Sequence, residues 1–264
     1  MEKNVSVVIP LYNSKDSIAD VLKGVESQTA VNKIKEVIVV NDGSSDGSEG
    51  VVEQYSKYSS LTILIANKAN GGVSSARNRG VKEAGDVEWI AFCDADDIWL
   101  PNKLERQFDC IRDHSNIDCI GCAFSERPLR IGRKIINNLY KGSVRDICIT
   151  NFPQPSTVLM KKSIFDEMGY FDESQRYAED GNFFLRVAAN YNLYYLPEQL
   201  IEYGYGKRGF GVRGLSSNLK GMYHGNVKNL KEMRSLGYIS SLFYYQMRIY
   251  HFAKYIRRIM LSLR

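Results

Sequence analysis

Residues 34–47 read Ile34-Lys-Glu-Val-Ile-Val-Val40-Asn-Asp42-Gly-Ser-Ser-Asp46-Gly47. A run dominated by β-branched residues breaks at once into a tight polar turn, which predicts a buried strand over 34–40 and a loop after it. A Ser or Asp of that turn suits the N-cap of a helix expected from Ser48 to Tyr58. The same order repeats on either side. Upstream, Val5 to Ile9 is a β-branched run closed by Pro10, followed by helical spacing of Ile18, Val21, Leu22 and Val25 within 16–28. Downstream, a strand is expected over 61–66, a helix over 74–84 and a strand over 89–93. Strand and helix alternate through the first hundred residues, which predicts an α/β protein with a mostly parallel sheet and helices on both faces. In such sheets ligands bind beyond the carboxyl ends of the strands. Three polar clusters fall there: Pro10 to Asn13, Asn41 to Ser44, and Asp94 to Asp97.

Beyond residue 100 the rhythm loosens. A charged amphipathic helix is expected over 102–112, strands over 118–124, 156–160 and 193–196, a helix over 178–191, and two closing helices. Residues 127–150 carry mixed signals and read as a flexible excursion; 204–214 read as a loop. With no repeat or linker, one continuous domain is expected.

The 264 residues are 44% hydrophobic and 25% charged, enough for a sizeable core, and the net charge of +5 suits anionic partners such as phosphates or an acidic membrane face. Nothing marks a nucleic-acid partner. Five cysteines in mostly apolar surroundings indicate a reducing compartment, with thiols used as small core residues. Cys119-Ile-Gly-Cys122 has metal-pair spacing, but residues three apart on a strand point to opposite faces and no second pair follows. The three histidines are scattered. The apolar run at the N-terminus is too short for a signal peptide, and no stretch reaches the ~18 apolar residues of a membrane span. A cytoplasmic protein is expected.

The stretch Phe92-Cys-Asp94-Ala-Asp96-Asp97-Ile-Trp99 places three carboxylates within four positions, where like charges repel. A solvated turn with capping acids explains it blandly. A hard cation explains it chemically: Mg²⁺ or Mn²⁺ takes one or two carboxylates and fills its shell with phosphate oxygens and water. The dinucleotide and P-loop glycine patterns are absent, so a different nucleotide site is implied. Asp42, in its Gly-Ser turn, suits hydrogen bonds from a base or ribose. Arg77 and Arg79 diverge by about 200° on a helix, so at most one faces a diphosphate and the other is a surface residue.

Taken together, VSVVIPLYN (5–13), VIVVNDGSSDGS (37–48), NGGVSSARNRG (70–80) and WIAFCDADDIWLPNKLERQ (89–107) closely resemble the family 2 glycosyltransferases, which share the GT-A fold. The match continues in PSTVLMKKSIFDEMGYFDE (155–173) and YAEDGNFFLRVA (177–188). The resemblance implies a Rossmann-like nucleotide-binding half, C-terminal helices, and an inverting transferase that uses a UDP-sugar or a similar donor with Mn²⁺ or Mg²⁺. It implies that Pro10, Tyr12 and Asp42 hold the nucleoside, that Arg77 stands on the nucleotide side, that Asp94 and Ala95 contact the nucleotide sugar, and that Asp96, with Asp94 beside it, binds the metal. Asn41 departs from the family, which often has Asp there. Asp180 matches the family's base, with Glu179 as fallback, since adjacent helical residues point about 100° apart. Two acids stabilised by a helix dipole remain the bland alternative.

Residues 205–214, YGKRGFGVRG, resemble the region after this acidic pair in transferases that build bacterial O-antigen and capsule units on polyprenyl-diphosphate sugars. Lys207, Arg208, Arg213 and Trp99 are expected on the acceptor side; a mobile solvated loop, or a lid that contacts only the donor diphosphate, is the other reading. Near the C-terminus, Ile249, Phe252, Ile256, Ile259, Met260 and Leu263 form an apolar stripe, with Lys254, Arg257, Arg258 and Arg264 on another face. It suits the inner face of the cytoplasmic membrane, the chain's own domain or a second subunit. The expected division is a transferase domain over 1–215, with a nucleotide-sugar half over 1–110 and an acceptor half over 111–215, and a helical extension over 216–264. The expected reaction moves a hexose onto a lipid-diphosphate-linked sugar. The rivals are a sugar nucleotidyltransferase, whose glycine-rich basic loop is missing after the first strand, and a transferase with a protein or other non-lipid acceptor.

Overall fold

The alternation of the first hundred residues folds as β1 (Val5–Leu11), α1 (Ile18–Glu26), β2 (Ile34–Asn41), α2 (Ser48–Ser56), β3 (Ile63–Asn67), α3 (Val73–Glu83) and β4 (Trp89–Phe92). The computed structural model describes residues 4–204 and 217–262. The chain continues through β5 (Ile98–Trp99), α4 (Lys103–Asp113), β6 (Cys119–Ala123), β7 (Arg130–Ile131), β8 (Lys134–Ile135), β9 (Tyr140–Lys141) and α5 (Val144–Ile149). It then forms β10 (Leu159–Lys161), α6 (Ser163–Met168), α7 (Glu179–Asn190), β11 (Leu193–Gln199), β12 (Ile201–Glu202), α8 (Leu219–Ser235) and α9 (Ser241–Ser262).

Eight strands make one sheet in the order β3-β2-β1-β4-β10-β6-β11-β9. The first four are mutually parallel, β10 runs antiparallel between β4 and β6, and β11 is again parallel to β6. One sheet thus crosses from the first half of the chain into the second. Side chains alternate between its faces: Val7, Ile9, Val37, Val39 and Ala91 join one core with α1 residues, while Val8, Ile38, Val40, Ile90 and Phe92 join the other with Phe165, Phe183 and Phe184. Cys119 and Cys122 fall in opposite cores, as their spacing predicts. Among the described residues no group of three or more His, Cys, Asp or Glu could hold a metal ion.

Three local expectations are corrected. β1 runs through Pro10 to Leu11 instead of stopping before it. Pairing with β4 ends at Val8, so the missing Pro10 amide deprives no neighbour. Residues 155–157 form a 3-10 turn capped by the Gln154 side chain, and β10 starts only at Leu159. The excursion over 127–150 is ordered: β7 and β8 pair as a hairpin with Gly132 at φ 60°, and α5 opens with a capping box between Ser143 and Asp146.

Candidate active site

The carboxyl ends of β1, β2 and β4, with the start of α3, enclose a cavity of about 870 Å³. Pro10, Tyr12, Asp42, Asp94, Ala95 and Asp96 all line it, and Arg176 and Tyr177 face them. Tyr12 is 53% exposed and offers its ring to the cavity. Asp42 is buried, and its oxygens accept from Lys68 Nζ (2.5 Å) and from the amides of Gly71 and Gly72 (2.8 Å each). Three of a carboxylate's about four lone-pair sites are thereby used in shaping the cavity floor, and one remains. Asn41 donates to Asn67 (2.9 Å) and Glu49 (3.3 Å) and accepts from the Ser44 amide. An Asp at 41 could not donate and would face Glu49 with like charge, which accounts for the Asn.

Arg77 lies behind this cavity, almost wholly buried, while Arg79 sits outside in an ion pair with Glu83. Arg77 Nη2 is 2.7 Å from Asp94 Oδ1, and Nη1 is 3.6 Å from Glu179 Oε1. Burial works against its charge, but Asp94 and Glu179 outweigh that and raise its pKa. Its Nε and Nη1 make no hydrogen bond within the described residues, an unusual state for a buried guanidinium. Arg77 therefore joins the acidic loop after β4 to the acidic pair that opens α7.

That pair divides by position. Burial and the neighbouring Asp180 charge push Glu179 up to about 7, against the pull of Arg77. Asp180 is part-exposed, and its pKa too is raised by burial. It accepts from the Gly181 amide (2.7 Å) and from Asn151 Nδ2 (3.2 Å). The residue before the pair, Ala178, has φ 54°, a left-handed conformation that costs a non-glycine residue about 1–2 kcal/mol. Its carbonyl accepts from Gln175 Nε2 (3.1 Å) and from Asn229 Nδ2 of α8 (2.9 Å), and Gln175 also donates to Asn229 Oδ1 (2.8 Å). Helix α8 comes this close because residue 225 is glycine: a Cβ there would lie 2.2 Å from Tyr177 O.

A second cavity, about 1420 Å³, opens beside Asn151 and is also lined by Phe124, Arg127, Gln154 and Tyr203. Gln154 Nε2 donates to Asp97 Oδ2 (3.2 Å), so residues 151–154 reach both acidic motifs. Asp97 is buried and also accepts from the Gly204 amide (2.6 Å); burial and the Asp94 charge push it up to about 7. It orients loops rather than the cavity, and it caps no helix. Sequence reading missed Asn151, Gln154, Asn229 and Tyr203, because single amides and a tyrosine outside a motif carry no local signature.

The acceptor-side placement of Trp99 is corrected. Its side chain is 1% exposed, its indole N–H donates to Ser156 O (2.9 Å), and Lys103 Nζ stands 4.0 Å from the ring centre. On β5 the pleat turns Trp99 into the core and leaves Ile98 half-buried. Lys207, Arg208 and Arg213 lie outside the described residues.

The donor set fits a hard cation. Asp94 and Asp96 stand at the cavity wall, and a Mg²⁺ or Mn²⁺ bound through one or two carboxylates and a donor's phosphates needs no third protein ligand.

Residues 6–169 match the family described as Glycosyl transferase family 2. The putative teichuronic acid biosynthesis glycosyltransferase TuaG of Bacillus subtilis is 35% identical over 121 residues, 46% of this chain and 44% of TuaG. The chain spans 63% to 75% of the length of the first curated relatives it matches. S. aureus TarS 1–349, solved with UDP-GlcNAc, superposes with a TM-score of 0.68 at 21% identity, covering 93% of this chain and 70% of that one. The mannosyltransferase PcManGT of Pyrobaculum calidifontis, solved with GDP-Man and Mn²⁺, gives 0.69 at 18% identity, covering 88% and 64%. Both likenesses concern the fold, and they agree with the GT-A architecture. With its family pattern spanning most of the chain and its acidic motifs converging on Arg77, the protein belongs to glycosyl transferase family 2.

Proposed function

We propose that the chain moves a hexose from a UDP-sugar, with inversion, onto a sugar carried by a polyprenyl diphosphate in the assembly of a bacterial surface polymer. The observation that carries this reading is the bridge through Arg77, which ties the donor rim at Asp94 to Glu179 while Asp180 touches Asn151 of the second cavity. The donor occupies the first cavity, with Tyr12 against the base, Asp42 and Asp94 toward the nucleoside, and Ala95 against the sugar. Asp96, with Asp94, holds the Mn²⁺ or Mg²⁺, which when bound supplies charge stabilisation at the departing diphosphate.

The acceptor sugar enters the second cavity. As its hydroxyl oxygen bonds to the anomeric carbon, Asp180 takes the hydroxyl proton and the bond to the UDP oxygen breaks on the opposite side. The raised pKa of Asp180 makes it a stronger base than an exposed carboxylate. Asn151 aims it, and Arg77 holds Glu179 out of the acceptor's path. Lys207, Arg208 and Arg213 are assigned to the acceptor diphosphate on charge alone. The UDP-GlcNAc bound by TarS supports the donor class, the Mn²⁺ of PcManGT supports the metal, and the name of TuaG supports a surface-polymer product.

The test is turnover with a panel of nucleotide sugars against synthetic polyprenyl-diphosphate sugars, with the product's anomeric configuration read by NMR. Transfer with inversion supports the reading. Transfer only to a peptide or free glycan overturns the acceptor assignment, and retained configuration overturns the mechanism.

A further inference from the structure

Helix α9 carries no acidic residue and has two apolar faces. One packs on the domain: Tyr244 is buried under the Arg234 guanidinium (5.0 Å to the ring centre), His251 Nε2 lies 2.8 Å from Cys148 O, and Tyr223 of α8 stacks on Tyr255 at 5.2 Å. The other carries Leu242, Tyr245, Ile249, Phe252, Ile256 and Met260, all exposed, with Leu242 at 70% and Ile249 at 73%. At steps of three or four these form one stripe along a helix about 33 Å long. Of the stripe expected from sequence, Ile259 is half-buried, and Leu263 and Arg264 lie outside the described residues. A helix apolar on both sides is one that is covered on both sides. Among the described residues the domain covers the inner one and meets the outer one where the Tyr223 ring stands 6.0 Å from that of Phe252.

We propose that the outer face of α9 docks on an anionic lipid bilayer, with the helix lying in the headgroup plane. Exposed Arg248 and Arg257 flank the stripe on its two sides, and residues 241–262 hold no carboxylate to neutralise them. A second copy on this face would bring cationic flanks together without a counter-charge on the helix. Anionic headgroups supply that charge, and the stripe supplies the apolar side chains that enter the acyl boundary. Tyr245 and Tyr250, both exposed, suit the headgroup level. The docked helix also sets where the second cavity lies: His251 holds the end of α5, and the chain runs from there directly into residues 150–154 of the cavity wall. The inference stands on this helix whether or not the acceptor is lipid-linked.

The full chain is tested by co-sedimentation with vesicles of phosphatidylcholine alone or mixed with phosphatidylglycerol, without glycolipid or nucleotide sugar. Binding to the mixed vesicles should exceed binding to the neutral ones by about tenfold or more and should weaken with salt. Ile249→Glu with Phe252→Glu should abolish it, and Arg248→Glu with Arg257→Glu should weaken it about tenfold. All four side chains are exposed, and Phe252 and Arg248 give up only the Tyr223 ring contact and the bond to Tyr244 OH (3.1 Å), so circular-dichroism melts should stay cooperative with small shifts while both losses occur. No binding to anionic vesicles, or binding that survives both pairs, overturns the proposal. So does a concentration-dependent dimer in light scattering that Ile249→Glu with Phe252→Glu dissolves, which would assign the face to a second copy. Turnover is not measured, so failure here leaves the transfer reaction intact.

Discussion

Asn229 Nδ2 donates to the Ala178 carbonyl at 2.9 Å, joining α8 to the strained residue that precedes the acidic pair. The bond comes from a part of the chain 51 positions away, and it holds a left-handed alanine that local preference opposes. Asn229→Ala should therefore lower kcat about tenfold or more while the KM for the donor stays within about twofold, since the acidic pair loses its aim and the donor cavity keeps its floor. Thermal stability should fall by about 1–3 kcal/mol for the two buried hydrogen bonds lost, to Ala178 O and from Gln175 Nε2. Equal losses in kcat and donor affinity would instead mark a general loosening. Steady-state kinetics alongside melting separate the two.

Asp180→Asn should lower kcat by about 10²- to 10⁴-fold with UDP binding retained, as for loss of a general base. Glu179→Gln should be milder, because Glu179 faces Arg77. If the two magnitudes are reversed in single-turnover assays, the base is Glu179.

Asp96→Ala should remove the stimulation of turnover by Mn²⁺ or Mg²⁺ and weaken metal-dependent UDP binding in calorimetry, with the fold unchanged. Metal response equal to that of the unaltered protein would reject Asp96 as a ligand.

The raised pKa of Glu179 has a definite sign in stability. The folded protein retains this proton up to about pH 7, whereas an unfolded Glu releases it near its ordinary 4.5. Between those values the unfolded state binds fewer protons, so Glu179 makes stability fall as pH rises through the window. Melting temperatures of metal-free protein should decline there, and Glu179→Gln should flatten part of that slope. An unaltered slope would mean that Glu179 is ionised in the fold.

Glu26 has the opposite sign. Burial opposes its charge, but hydrogen bonds from Tyr55, Ser60 and Ser59 outweigh this and hold it at about 2. Glu26→Gln should cost about 1 kcal/mol at neutral pH, and the difference should vanish as pH falls from 4.5 toward 2. Denaturant melts of both proteins across that range give the comparison.

Much of this site was legible because the chemistry is local. Tyr12, Asp42 and Asp94 to Asp96 each follow a strand and Pro10 lies in the last residues of one, and once the alternation is read the sheet brings them to one rim. Arg77 was legible as one of two candidates, and burial selected it over Arg79. Trp99 was misplaced because a two-residue strand gives no periodicity to tell which face is inward. Asn151, Gln154 and Asn229 were illegible for another reason: each matters only through a partner 29 to 57 positions away. The capping box at Ser143 was present in the sequence, and mixed composition around it hid a short helix.

Residues 151–154 form a single wall that touches Asp180 through Asn151 and Asp97 through Gln154. The wall lines the second cavity, and its tether at Asp97 sits next to Asp96, which lines the first. Filling the second cavity is therefore expected to change affinity in the first, read as a shift of the nucleotide's dissociation constant when acceptor is present. Such coupling is reciprocal: the factor by which an acceptor changes the dissociation constant of the nucleotide is the factor by which the nucleotide changes that of the acceptor. A shift of nucleotide affinity by acceptor that Gln154→Ala removes would place such coupling in these four residues of loop.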